Sequence, residues 1–256
     1  MSIGLGWLWI FLCATARVGG LVLIAPAFSS PMINARVKIG LVLSLALVAC
    51  SGAGITGEWP ANMLLIAQGM GIELITGLLL GAGYRIVFAA AGMAGELAGL
   101  QMGVGAASIF DPNSGQSASL TEGFFTLSFT VLFLSIDGHH QLLRVLSESY
   151  ASVPPGGAWE HMPSLDVLVR GVTDSITFGC RLAAPIVLPL ILLTVAIALI
   201  SRAFPQANVI SLNYGLGILL GVVLMAGMAV SLNEPVRHLA RNADALAMKL
   251  LQSMAG

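Results

Sequence analysis

The chain has 256 residues, 57% of them hydrophobic and 9% charged, with a mean hydropathy of +0.93 and a formal net charge of −1. A soluble domain carries roughly 25% charged residues, so this chain cannot clothe a water-facing surface in the usual way and reads as part of a membrane or membrane-derived assembly. The balanced charge, with no basic cluster, excludes nucleic acid as an expected partner, and Cys13, Cys50 and Cys180, far apart and without CxxC spacing, exclude a disulfide framework or a zinc site.

The opening stretch MSIGLGWLWIFLCATARVGG has no Lys or Arg before Arg17. A secretory signal needs a positive region ahead of its apolar core, so this segment is expected to be a retained helix. A membrane helix needs roughly 20 mostly apolar residues to cross about 30 Å of hydrocarbon. Six segments qualify approximately: Trp7–Phe28, Val37–Ala53, Met63–Val87, Phe124–Ile136, Val167–Ile200 and Val209–Val230. No proline interrupts Tyr84–Leu97, so the third helix is expected to continue past its apolar core despite Gly92 and Gly95. The fourth segment is short. The fifth is too long for one straight crossing and holds Pro185 and Pro189, which predict a kink or break because proline lacks the N–H. Proline and polar clusters mark turns at APAFSSPMINAR, TGEWPAN, VPPGGAWEHMPS and RAFPQAN. The expected fold is all-α: polytopic membrane-type helical hairpins with kinked long helices, in one unit over 1–256 with no internal repeat.

Orientation conflicts with this count. Arg36, Lys38 and Arg202 place two loops in the cytoplasm, but six crossings then put Arg237, Arg241 and Lys249 on the outer side. Either one segment does not cross, or this is not an ordinary bilayer-spanning bundle. Small-xxx-small pairs such as Gly77/Gly81, Gly95/Gly99, Gly99/Gly103 and Gly217/Gly221 predict close helix–helix approach. Three charges interrupt apolar runs: Arg17, Glu73 and Arg181. Each costs about 2.5–3.5 kcal/mol at a helix centre on insertion scales. Pairing with one another, capping of loosened backbone, contact with partner subunits and an ion path all remain open for them.

Two polar stretches lie between the apolar runs. GLQMGVGAASIFDPNSGQSASLTEG, from Gly99 to Gly123, is rich in Gly, Ala and Ser and has no helix or strand period. Irregular backbone is tolerated at membrane depth only inside protein or beside water, so this stretch faces a cavity, a partner or bulk solvent. DGHHQLLR carries Asp137, His139, His140 and Arg144. Adjacent histidines on a helix point about 100° apart, so they are not expected to converge on a metal as an i, i+4 pair does; Asp137 is expected near a helix N-terminus. No HExxH, GxSxG or glycine-rich phosphate cradle is present. No catalytic, cofactor or metal site is therefore expected. A secondary transporter with mid-depth charges is an alternative, and an intramembrane enzyme is disfavoured by the missing nucleophile–base pair.

Several stretches together resemble one family. ARVGGLVLIAPAFSSPMINARVKIGLVLSLAL, GIELITGLLLGAGYRIVFAAAGMAGELAGLQMGVGAASIFDPNSG, FLSIDGHHQLLRVLSESYASVPPG and FPQANVISLNYGLGILLG are similar, in order and spacing, to the FliR family of flagellar biosynthesis proteins. The match covers nearly the whole chain. Tyr150 stands where Phe is more usual, and the Asp-Gly-His-His element favours the flagellar branch over the virulence-secretion (injectisome) one.

The resemblance implies a subunit of the type III export gate in the bacterial inner membrane, at the flagellar basal body. It implies FliP-like and FliQ-like partners, FlhB-like and FlhA-like export components, unfolded exported proteins in transit, and surrounding lipid. It implies a FliP-like front part, 1–160, and a FliQ-like rear hairpin, 161–256, in an assembly partly raised above the membrane plane. It further implies that the 102–119 loop helps plug a central pore. There Met102, Gly103, Gly105, Ile109, Phe110, Asp111, Pro112 and Asn113 are the candidate gating residues: small residues for displacement, Ile109 and Phe110 for obstruction, Asp111-Pro112 and Asn113 for a turn. Arg17, Glu73 and Arg181 are candidates for packing or partner contact.

Overall fold

The computed structural model describes residues 2–26, 28–29, 33–52, 59–104, 120–156, 163–203 and 209–255. Among them the chain is helical, with no strand: α1 Ser2–Ile24, α2 Ala35–Gly52, α3 Met63–Met102, α4 Leu120–Ser135, α5 Gly138–Ser152, α6 Leu165–Ala203, α7 Val209–Ala229 and α8 Asn233–Ala255. The all-α expectation holds. The third helix does continue, over 40 residues, because nothing in it removes a backbone donor. Of the kink or break expected at Pro185 and Pro189, the break does not occur: α6 runs as one helix through both.

Each of the six apolar segments overlaps a helix. Among the described residues, four helices are long and apolar enough to cross a membrane: Gly6–Ile24, Met63–Met102, Leu165–Arg202 and Leu212–Ala229. A fifth results if α4 and α5, bent by 72° at residues 136–137, form one broken span. Arg36 and Lys38 occupy the first turn of α2. The orientation conflict persists: with four crossings Arg237, Arg241 and Lys249 still fall opposite Arg36, Lys38 and Arg202, and with five Arg202 falls opposite the others. α8 carries the basic residues that caused it. It is an amphipathic helix, with Val236, Leu239, Ala240, Ala243, Leu246, Ala247, Leu250 and Met254 buried at helical spacing and Arg237, Arg241 and Lys249 exposed.

The chain forms two compact units, each discontinuous in sequence. The first comprises Met1–Val87, Leu134–Val172 and Ala240–Gly256. Its α1 packs against α2 and closely against α3. A Cβ on Gly20 would stand 2.5 Å from the Leu74 carbonyl oxygen, and one on Gly77 would stand 2.8 Å from the Arg17 carbonyl carbon. Only glycine permits that approach, as the small-residue spacing predicts. In the same unit the Tyr84 hydroxyl donates to Asp244 Oδ1, tying α3 to α8. Burial pushes the Asp244 carboxyl up from its ordinary range, while the Tyr84 hydrogen bond and the Arg144 charge draw it back.

The second unit comprises Phe88–Phe133 and Thr173–Leu239. Its α3 portion meets α4 through Phe88 and Phe133, edge to face at 4.9 Å, and through Gly95, where a Cβ would stand 2.6 Å from the Thr121 carbonyl oxygen. Phe178 of α6 stacks on His238 of α8 at 5.5 Å.

Candidate functional site

The first polar constellation is fully buried. Arg17 on α1 and Glu73 on α3 are 0% exposed and face each other at the Gly20/Gly77 crossing, where the backbones come close enough for the side chains to meet. Arg17 Nε donates to Glu73 Oε2 at 2.6 Å and Nη2 to Glu73 Oε1 at 3.1 Å, a fork on a carboxylate. The rest of the guanidinium serves the end of α5. Nη1 donates to the Ser149 carbonyl at 2.8 Å and to its Oγ at 3.1 Å, and Nη2 donates to the Val153 carbonyl at 2.8 Å. The Ser149 carbonyl also accepts the Val153 N–H at 2.9 Å, and Val153 is the C-cap residue, so the guanidinium sits on the end of the helix. Glu73 Oε1 also accepts the Gly156 N–H at 2.8 Å. The Tyr150 ring lies 4.5 Å from the guanidinium carbon, and its hydroxyl donates to the Ala14 carbonyl.

A guanidinium has five N–H donors, and this one has five acceptor contacts. The cluster therefore has the form of a structural staple. It joins α1, α3 and the exit of α5, and its charges are compensated in place. The two alternatives of mutual pairing and backbone capping coincide in one residue. Arg181 behaves differently: it is exposed on α6. Ser149, Tyr150, Val153 and Gly156 were not foreseen as partners. The only signal was their position in the SESYASVPPG stretch, where a helix ends.

The second constellation is the root of the 102–119 loop. α3 closes with Gly103 N–H donating to the Leu100 carbonyl and Val104 N–H to the Gly99 carbonyl, both at 3.1 Å. Gly103 has φ of 79°. Together these form a Schellman cap, which requires a left-handed residue and favours glycine. A Cβ on Gly103 would also stand 2.6 Å from Tyr214 Cε1. Met102 is 2% exposed and lies over Gly221, whose Cβ would stand 2.6 Å from its Sδ; Gly217 faces the Met102 carbonyl. Tyr214, Gly217 and Gly221 are three and four residues apart and so share one face of α7. Met102 is thus an anchor packed on α7, not a side chain standing free. Gly105, Ile109, Phe110, Asp111, Pro112 and Asn113 lie outside the described residues.

The third is the turn between α4 and α5. Asp137 has φ of 59° and precedes α5 without a side-chain cap. It is at the helix N-terminus, as expected. The histidines do not diverge as expected. Their ring centroids are 4.2 Å apart, and ligand atoms of Asp137, His139 and His140 all lie within 4.8 Å of one another. The left-handed Asp137 starts the helix abruptly, and the two rings lean together. Among the described residues this trio is the group that could hold a divalent ion, although ligands around zinc at about 2.1 Å stand closer, about 3.4 Å apart. Its position at an exposed bend suits a turn.

Apolar helices long enough to cross a membrane, two of them joined by a buried ion pair, define a polytopic membrane protein. The chain belongs to the bacterial export proteins, family 1, which it matches over residues 8–243. It is similar to the flagellar biosynthetic protein FliR of Pectobacterium carotovorum subsp. carotovorum, at 28% identity over 234 residues, 90% of this chain and 87% of the relative. FliR of Escherichia coli (strain K12) is 28% identical over 242 residues, covering 92% of this chain and 90% of the relative. FliR of Aquifex aeolicus (strain VF5) is 28% identical over 209 residues, 82% and 81%.

Proposed function

We propose that this chain is a structural and gating subunit of the flagellar type III protein export gate in the bacterial inner membrane. Its partners in that reading are FliP-like and FliQ-like gate subunits and the FlhB-like and FlhA-like export components, with unfolded flagellar proteins passing through the shared pore. Residues 1–160 serve as the FliP-like front part and 161–256 as the FliQ-like rear hairpin. The 102–119 segment helps to plug the pore, and no catalysis is assigned to the chain. Family membership and the FliR names of its relatives support the export role.

The observation that carries the gating part is the end of α3. A Schellman cap and a buried Met102 fix where the chain leaves the helix. Beyond that point the sequence is small, uncharged save for Asp111, and short of packing residues. A segment fixed at its root and composed of small residues can obstruct a passage and still be displaced.

The test is a partial deletion within residues 105–119 in cells whose gates assemble. Leakage of ions or small molecules is expected to rise severalfold. A deletion that assembles normally and leaks no more than the parent overturns the plugging role. The injectisome alternative makes the same prediction for leakage but requires the chain to support virulence secretion, not motility, when exchanged into a host; the flagellar names of the relatives favour motility.

A further inference from the structure

The turn into α5 holds a polar group that the export role leaves unused. Asp137, His139 and His140 stand at the start of that helix, and one ligand atom from each lies within 4.8 Å of the others. Asp137 occupies the N-cap position, where an aspartate ordinarily accepts a backbone N–H of the first turn. Its side chain makes no such bond. Asp137 Oδ1 stands instead 3.4 Å from His140 Nδ1, the separation of two ligands held at about 2.1 Å in a tetrahedron. The His139 ring leans on the His140 ring at 4.2 Å, although successive residues of a helix point about 100° apart. A further sign is independent of this clustering. Among the described residues two buried side-chain N or O atoms have no hydrogen-bond partner, His139 Nδ1 and Gln141 Oε1, and both belong to the first turn of α5. A buried polar atom left without a partner costs about 1–3 kcal/mol, and a bound ion is one of the things that explain such an atom.

We propose that Asp137, His139 and His140 bind one divalent transition-metal ion of the zinc type. Two imidazoles and a carboxylate are ligands that zinc takes, and the two nitrogens select against magnesium and calcium, which prefer oxygen. Three protein ligands leave the fourth position to water. The side chains of His140 and Asp137 are 68% and 73% exposed. An ion therefore reaches them from solution, and both have room to rotate as separations of up to 4.8 Å close to about 3.4 Å around it. The positive end of the α5 dipole opposes a cation by about 0.3–1 kcal/mol; the Asp137 carboxylate, at the same helix end, offsets it. The role of the ion is structural. By tying Asp137 to His139 and His140 it does the work of the missing cap and fixes the first turn of α5.

The test uses the full-length chain, purified from membranes in detergent with the subunits that accompany it and with an affinity tag free of histidine. Bound metal is stripped with a chelator. Zinc is then titrated back against a chromophoric chelator, and cobalt is added in parallel as a spectroscopic probe. The parent is expected to bind zinc, to give the intense visible absorption of four-coordinate cobalt, and to unfold at a higher temperature with zinc than without it. His140→Ala, at a position exposed enough to leave the fold intact, is expected to bind zinc at least about tenfold more weakly, since losing even a hydrogen-bonding partner of a metal ligand costs about 10–100-fold. His139→Gln is expected to lose as much, and His238→Ala, on α8, to keep the parental affinity. A parent that retains no zinc at micromolar concentrations overturns the inference. Zinc binding that His140→Ala and His139→Gln leave at parental strength shows that the ion sits elsewhere and overturns it equally.

Discussion

Arg17 illustrates what a single buried charge can be made to do. A buried ion pair is by itself weak evidence of stability, because desolvation offsets the attraction. Here the guanidinium also donates to the carbonyls of Ser149, which the Val153 N–H serves as well, and of Val153 at the C-cap. Removing Arg17 leaves the buried Glu73 without its counter-charge and takes a donor from the Val153 carbonyl at the same time. Arg17→Ala is therefore expected to destabilise the protein by about 3–5 kcal/mol, read as loss of the detergent-solubilised complex on heating. Glu73→Gln is expected to cost less, since the amide oxygen can still accept from Arg17 and Gly156. If the two substitutions destabilise equally, the carbonyl contacts contribute little. The sequence singled out both residues, since a charge in an apolar run is visible by composition. Their pairing was not legible, because 56 residues separate them and only the glycine crossing of α1 on α3 brings them together. Arg181 looked like a third member on the same grounds. Its exposure separates it, and exposure is a property of packing that no single run of residues records.

At the level of elements, the end of α3 and the face of α7 form one device. The sequence predicted close approach at Gly217/Gly221 without saying what approaches; the answer is the Met102 side chain. A Cβ at position 221 enters the space of that side chain, so Gly221→Ala is expected to dislodge the loop root and raise gate leakage severalfold. Met102→Ala in the same chain removes the colliding atoms and is expected to return leakage most of the way. No change in leakage in the assembled single variant would show that the root is held by other means. The continuity of α3 was readable from the lack of proline. The continuity of α6 was not. Proline removes one hydrogen bond and crowds one carbonyl, and the remaining bonds of a 39-residue helix carry it past two such positions.

For the molecule as a whole, length is the decisive quantity. α3 and α6 have 40 and 39 residues, about 60 Å each at 1.5 Å per residue. That is twice the hydrocarbon thickness of about 30 Å, so neither can lie within a bilayer along its whole length at an ordinary tilt. Large apolar side chains also remain exposed on α6 and α7, including Leu192, Leu199, Leu219 and Val223. Such a chain is expected to be recovered from membranes with FliP-like and FliQ-like subunits, and to conduct no solute when reconstituted alone. Solute transport by the isolated chain would favour a transporter. The all-α class was legible because composition and periodicity are averages over many residues. The bend between α4 and α5 was not, since it turns on the left-handed backbone at Asp137.

The staple around Arg17 also sets a problem of timing. Glu73 follows it by 56 residues and Ser149 by 132. At about 5–20 residues per second of synthesis, the ribosome delivers the carboxylate roughly 3–11 s after the arginine, and the α5 carbonyls later still. During that interval the first helix carries a cation with nothing yet made to neutralise it. The nascent chain must keep α1 at the translocon or the headgroups until α3 emerges, which makes biogenesis, more than the finished fold, the stage at which Arg17 is most exposed to failure.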